Sequence, residues 1–282
     1  MRLSVDISGV RSLVGDFEAL DLIKSAGFDA VDYDFHGGVN DETCVDYARK
    51  LRAHLDKIGL LCNQAHAPFG MPYGTAFDAT NPKYLSIIRS IEAAAILGAD
   101  NIIVHAIVVP EDISDTYESC NIKFYQSLEP FAQKFGIKIA IENLFTYDEV
   151  THYHSGIFAK PSEMNSLIER LDSPVFSVCL DVGHAFISGT NPANFVRGMK
   201  PGYLKALHIQ ECTDGIGDKH QLPYLGFIDW EDLAKALKEY HYDGDFNFEI
   251  FRFFTSLPKD CLPEALKLAE KVGRHIIKLI EE

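Results

Sequence analysis

Short apolar runs in this 282-residue chain repeatedly close on a histidine or a carboxylate. NQAH ends at His66, IIVH at His105 and KALH at His208, while IAIE ends at Glu142, VCLD at Asp181 and FNFE at Glu249. Two further groups stand nearby: DVGH sets His184 three residues after Asp181, and DKH supplies Asp218 and His220. Imidazole nitrogens and carboxylate oxygens are ligands for divalent transition metals, and a set this rich in histidine favours Zn, Mn or Co over Mg. Carboxylates gathered at one buried focus repel one another unless a cation offsets them. A divalent metal site is therefore expected, with one ion as the first expectation and up to three admitted by the number of ligands.

These residues act together only if the chain delivers them to one place. Apolar, β-branched runs recur at 2–6, 29–34, 61–66, 101–106, 137–142, 175–181, 203–209 and 245–250, which predicts eight strands. Helical spacing fills most of the gaps, at 16–26, 41–58, 82–97, 114–135, 161–171, 230–240 and 263–280, with a shorter helix at 191–198 behind Asn191 and Pro192. Several helices stop at a glycine just before the next strand, as in SAGFDAV and LGADNII. Eight such units match an α/β fold of the (β/α)8 TIM-barrel type, which takes roughly 250 residues. No linker or low-complexity segment divides the chain, so residues 1–282 are read as a single domain. In that fold the carboxyl ends of the strands face the active site, and six consecutive strand ends would bring the metal-ligand types to one rim.

Composition narrows the choice of partner. There are 26 Lys and Arg against 41 Asp and Glu, a net charge of −15, which disfavours holding nucleic acid by bulk charge. The loops at 36–41 and 67–79 contain no Lys or Arg. No apolar run suits a membrane helix and no leader segment is evident, so a cytoplasmic protein that binds no membrane is expected. The six cysteines lack CxxC spacing and read as reduced packing residues.

IAIENL, CLDVGHAF, LHIQE with DKH, and FNFEIF, together with AHAPFG and IIVHA, resemble the xylose isomerase-like barrel superfamily of sugar and sugar-phosphate isomerases and epimerases, an inosose dehydratase and endonuclease IV. By that resemblance, the ketose-epimerase pattern implies one metal on Glu142, Asp181, His208 and Glu249. Xylose isomerase implies a second cation at Asp181, His184, Asp218 and His220. The endonuclease IV pattern implies a further site at His66, His105 and Glu142. One dication against three carboxylates leaves −1, and three against four leave +2, so the single-metal state suits a neutral sugar and the three-metal state an anion.

The resulting expectation is a metal-dependent sugar or sugar-phosphate isomerase or epimerase acting on a small molecule, with family members often forming homo-oligomers. Glu142 and Glu249 would be the acid/base pair beside a metal-stabilised enediolate, with His66, His105, His184, Asp218 and His220 as further metal or substrate ligands. The alternatives are a zinc phosphodiesterase of the endonuclease IV type and an inosose-type polyol dehydratase. In the epimerases the loop after strand seven carries a sugar-binding Glu and Arg; here Glu211 is present without an Arg. Lys219 would be a phosphate contact or, more simply, solvent-facing. Phe69, Phe145 and Trp230 are candidates for apolar walls, although 229–232 also reads simply as a helix start capped by Asp229; Asp34 and His36 end strand two near the pocket floor; and the loop 143–160, with His152, Tyr153 and His154, is a candidate lid or, more simply, a surface loop.

Overall fold

The computed structural model describes residues 1–35, 43–110, 116–147, 154–214 and 217–282. In chain order the strands are β1 (Leu3–Asp6), β2 (Ala30–Asp34), β3 (Leu61–His66), β4 (Asn101–Val104), β5 (Lys138–Glu142), β6 (Leu144–Tyr147), β7 (His154–Ile157), β8 (Phe176–Asp181), β9 (Leu204–His208) and β10 (Phe246–Phe248). All but β6 and β7 pair in parallel in the order β10-β1-β2-β3-β4-β5-β8-β9. A parallel bridge from Ile209 to Phe248, with the Ile209 N–H donating to Asn247 O at 2.9 Å, joins β9 to β10. This is the TIM barrel that the strand count predicts.

The helices are α1 (Ser8–Val14), α2 (Asp16–Ala26), α3 (Cys44–Ile58), α4 (Pro82–Leu97), α5 (Tyr117–Phe135) and α6 (Pro161–Leu171). They continue with α7 (Val182–Ile187), α8 (Pro192–Gly198), α9 (Trp230–Tyr240), α10 (Phe251–Thr255) and α11 (Leu262–Glu281). Local chemistry sets their limits: Asn191 caps α8 ahead of Pro192, Asp229 caps α9 through the Asp232 N–H, and α2 ends at Gly27 with φ 106°. Three short helices outside the expected set, α1, α7 and α10, directly follow β1, β8 and β10 on the carboxyl side of the barrel. The expected loop 143–160 carries the antiparallel pair of β6 and β7. His36, His152 and Tyr153 lie outside the described residues.

Most strand residues are buried on both faces, as a sheet wrapped by helices requires. The main apolar core fills the layer between strands and helices, and a separate small cluster of Ile103, Ala140, Cys179 and Ala206 lies apart from it. A buried polar group stands where bulky aliphatics usually fill a barrel. Ser4 Oγ donates to Asn247 Oδ1 at 2.7 Å, and Asn247 Nδ2 and Gln64 Nε2 donate to Asp32 Oδ2 at 2.9 and 2.8 Å. Asp32 stands 3.5 Å from His208 Nε2, so this network supports a site residue from below.

Candidate metal centre

The barrel brings all nine predicted ligand residues into groups whose donor atoms lie within 4.8 Å of one another; three groups share members, and the one of His184, Asp218 and His220 stands without the Asp181 expected in it. Glu142, Asp181, His208 and Glu249 form a group of four; His66, His105 and Glu142 form a second; His184, Asp218 and His220 form a third; and His66 also meets His208 and Glu249. His208 Nδ1 is 3.0 Å from Glu142 Oε1 and 3.5 Å from Glu249 Oε2. His105 Nε2 is 2.8 Å from Glu142 Oε2, and His66 Nε2 is 3.0 Å from His105 Nε2. In the third group Asp218 Oδ2 lies 2.7 Å from His220 Nε2 and 3.7 Å from His184 Nε2.

Orientation supports the use of these atoms as ligands. His66 Nδ1 donates to Ala67 O at 2.8 Å, His184 Nδ1 to Asn143 O at 3.0 Å and His220 Nδ1 to Glu249 O at 3.0 Å. Each bond fixes the tautomer and leaves an Nε2 lone pair directed inward. Glu142 Oε2 and Glu249 Oε2 are buried without a hydrogen-bond partner, although His105 lies close to the first. Buried polar atoms are rarely left so, and a divalent cation is the partner this donor set fits.

The charge environment fits the same partner. Burial works against ionisation of Glu142, yet the facing rings of His208 and His105 hold its carboxyl well below the usual range. Burial, opposed by His208 and reinforced by Glu142 and Asp181, pushes the Glu249 carboxyl well above it. Burial lowers His105 to about 4. His208 and His184 are raised well above the ordinary imidazole value; burial opposes this, and nearby acidic groups, Glu249 and Glu142 for the one and Asp181 and Asp218 for the other, outweigh it.

Local structure explains the spacing of the motifs. In DVGH, Asp181 caps α7 by accepting from the His184 N–H at 2.7 Å, so one residue starts the helix and presents a carboxylate to the site. In IENL, Asn143 exchanges hydrogen bonds with the Asp181 backbone at 2.8 and 2.9 Å and locks the ends of β5 and β8 together. Gln210 Nε2 donates to Asp181 Oδ2 at 3.0 Å and to Asp218 Oδ1 at 2.8 Å, while its Oε1 accepts from the His220 N–H at 2.9 Å. Gln210 thus couples the group of four to the third group.

A cavity of about 560 Å³ opens above these groups and within the range of small-molecule sites. Its lining takes in the ligand residues other than Asp181 and His208 and adds Asp6, Asp34, Ser8, Ser12, Phe69, Phe251, Arg252 and Thr255. Asp6 ends β1 and reaches the cavity by the same strand-end placement as the ligand residues. Phe69 stacks on His105 with ring centres 4.9 Å apart, and Phe145 meets His184 edge-on at 5.0 Å.

Three expectations are corrected. Glu211 does not face the cavity: it is buried and accepts from the N–H groups of Cys212, Phe227 and Ile228 and from Trp230 Nε1 at 2.7 Å. Trp230 is consequently buried beneath that loop and is no wall of the pocket. Lys219 is no phosphate contact in the cavity: its side chain is solvent-facing and pairs with the exposed Asp214 at 2.8 Å.

With this geometry in view, residues 20–274 match the family described as the xylose isomerase-like TIM barrel. The chain belongs to that family. Among curated proteins, the uncharacterized protein y4fM of Sinorhizobium fredii is 24% identical over 261 residues, covering 82% of this chain and 79% of its own. A probable endonuclease 4 of Mesomycoplasma hyopneumoniae is 24% identical over 161 residues, so the match spans about half of each chain (54% and 55%). A solved D-tagatose 3-epimerase-like protein superposes with a TM-score of 0.77 at 20% identity, covering 100% of this barrel and 98% of its own chain. An IolI structure with a bound zinc atom gives 0.78 at 17% identity, with 99% and 98% covered. No helix among the described residues is long and apolar enough to cross a membrane.

Proposed function

We propose that this protein is a metal-dependent isomerase or epimerase of a sugar or sugar phosphate. The observation that carries this reading is the pairing of Glu142 and Glu249, from different strands, on one imidazole, His208, beneath a cavity walled by carboxylates and hydroxyls. Glu142, Asp181, His208 and Glu249 would hold the cation, and His66, His105, His184, Asp218 and His220 admit up to two more or bind substrate hydroxyls. A divalent ion there would supply Lewis acidity toward a carbonyl and offset two of the three carboxylate charges. Glu142 takes a proton from the carbon next to that carbonyl, and Glu249 returns one to the opposite face; use of one face alone gives isomerisation. Phe69 and Phe251 keep bulk water from the reacting carbon. Several solved barrels of this fold are described as epimerases, including a D-psicose 3-epimerase and a 3-keto-D-glucoside 4-epimerase from E. coli, which supports the same reaction class.

The convergence of all nine ligands favours a second reading, a zinc phosphodiesterase of the endonuclease IV type. The cavity lining supports the sugar reading over it: Asp6 and Asp34 join the site carboxylates, and Arg252 is the one Lys or Arg in the lining, whereas a nucleic-acid backbone calls for many cations. Elemental analysis of the native protein, paired with an assay on DNA containing an abasic site, separates the readings. About one Mn, Co or Zn per chain and intact DNA agree with the sugar enzyme; three zinc ions and incised DNA defeat it. Loss of water from an inosose-type polyol, measured on the same sample, would assign the reaction to a dehydratase.

A further inference from the structure

The part of the cavity wall built by α1 and α10 carries a cation that the metal chemistry does not use. Gly9 allows the two helices to touch, since a Cβ there would meet Phe251 O at 2.6 Å and Phe251 Cα at 2.7 Å. This contact places Ser8 and Ser12 in the same lining as Arg252 and Thr255. The Arg252 guanidinium lies 5.9 Å from the centre of the Phe251 ring, and among the described residues no carboxylate pairs with it. Elsewhere the chain satisfies its guanidinium groups: Arg2 holds Asp100 and Asp245, Arg11 holds Asp34, Arg197 holds Asp232 and Glu239, and Arg274 holds Asp29 and Glu270. Arg252 is exposed at the mouth of an acidic cavity in a chain of net charge −15, and its guanidinium is open to an external anion.

We propose that Arg252 anchors a single phosphate monoester on the substrate, making the preferred substrate a sugar phosphate. A planar guanidinium suits bidentate contact with phosphate oxygens; the Ser8, Ser12 and Thr255 hydroxyls in the same lining, which donate to Asp6 Oδ1, Gly9 O and Phe251 O in this structure, would turn from those partners to serve the remaining ones. Its position agrees with barrel architecture, in which substrate phosphates commonly sit at the loops after the last strands beside a short extra helix; α10 follows β10 in that way. Asp6, in the same lining, is raised to about 7 by burial and by Asp34 and Asp32, which lessens the negative charge that it sets against the phosphate. One guanidinium matches one phosphate group, not a polyanion.

This assignment rests on the sugar-enzyme reading, and the test separates the two. Calorimetry on the metal-loaded protein compares sorbitol 6-phosphate, gluconate and sorbitol as probes that cannot react by proton exchange. Sorbitol 6-phosphate should bind more tightly than sorbitol, and Arg252→Gln should weaken it by about tenfold or more, with partial rescue in Arg252→Lys. Equal binding of sorbitol 6-phosphate by Arg252→Gln and the parent protein overturns the proposal, as does absence of any preference over sorbitol. Arg252-dependent capture of gluconate in place of sorbitol 6-phosphate also overturns it, in favour of a sugar acid. If ketoses exchange no proton with solvent while the Arg252-dependent binding stands, the isomerase reading alone fails.

Discussion

Around the cavity, the side formed by β3, β4, β5, β8, β9 and the end of β10 leaves buried oxygens such as Glu142 Oε2 and Glu249 Oε2 without hydrogen-bond partners and aims histidine nitrogens at them. On the side formed by β1, β2 and α1, the two carboxylates that line the cavity find partners within the chain: Asp6 accepts from the Ser8 N–H at 2.9 Å, and Asp34 pairs with Arg11 at 3.2 Å. The same residue types therefore have different work. Glu142, Glu249 and the facing histidines converge with oxygens left unpaired, an arrangement that a divalent cation fits, whereas Asp6 and Asp34 close on partners within the chain.

Removing one of the convergent carboxylates should have the largest effect. Glu142 turns both carboxylate oxygens toward imidazoles, Oε1 to His208 and Oε2 to His105, whereas Glu249 turns only Oε2, so Glu142→Gln should deplete metal and reduce proton exchange by about a thousandfold or more, read by elemental analysis and isotope incorporation. Glu249→Gln is expected to keep metal while exchange falls by roughly a hundredfold to ten-thousandfold, whereas parallel loss of metal and activity would make Glu249 a ligand only. A smaller effect is expected one layer out. Gln210→Leu frees Asp181 and Asp218 from their shared donor, and metal affinity measured by competition with a chelator should drop about 10–100-fold.

The self-satisfied side should respond through pH instead. Asp6 is buried and raised from 3.8 to about 7, so the folded chain keeps a proton that the unfolded chain releases. Its penalty to stability is absent below about pH 4, grows as pH rises through that interval and is complete above about 7. Asp6→Asn should remove this slope, a relative gain on the order of a few kcal/mol at pH 8 over pH 4 in urea-unfolding midpoints of the metal-free protein. An unchanged slope would show that Asp6 is solvated in the folded state.

Much of this division is legible in the sequence, because a parallel barrel puts strand-terminal residues on one rim and period-two alternation decides which of them point inward. Six strand ends, with His184 and the Asp218 to His220 pair, were readable on that rule. Glu211 was not: it follows inward-facing His208 and Gln210 at odd register, and only the fold shows it turned into its own loop to receive three backbone N–H groups and an indole. Asn143 and Gln210 carry no charge and no metal-ligand signature, so their cross-strand bonding depends on neighbours far away in the chain. Arg252 lies past the last strand on a five-residue helix too short for a periodic signal, and its meaning comes from what does not pair with it.

The central claim is proton transfer next to a carbonyl, and isotope exchange with solvent measures it directly. Metal-loaded protein incubated in deuterium oxide with a panel of ketoses and ketose phosphates should place deuterium on the carbon adjacent to the carbonyl, and Glu249→Gln should suppress that incorporation. Absence of deuterium from every member of the panel, with the same preparation incising DNA at an abasic site, would contradict the account.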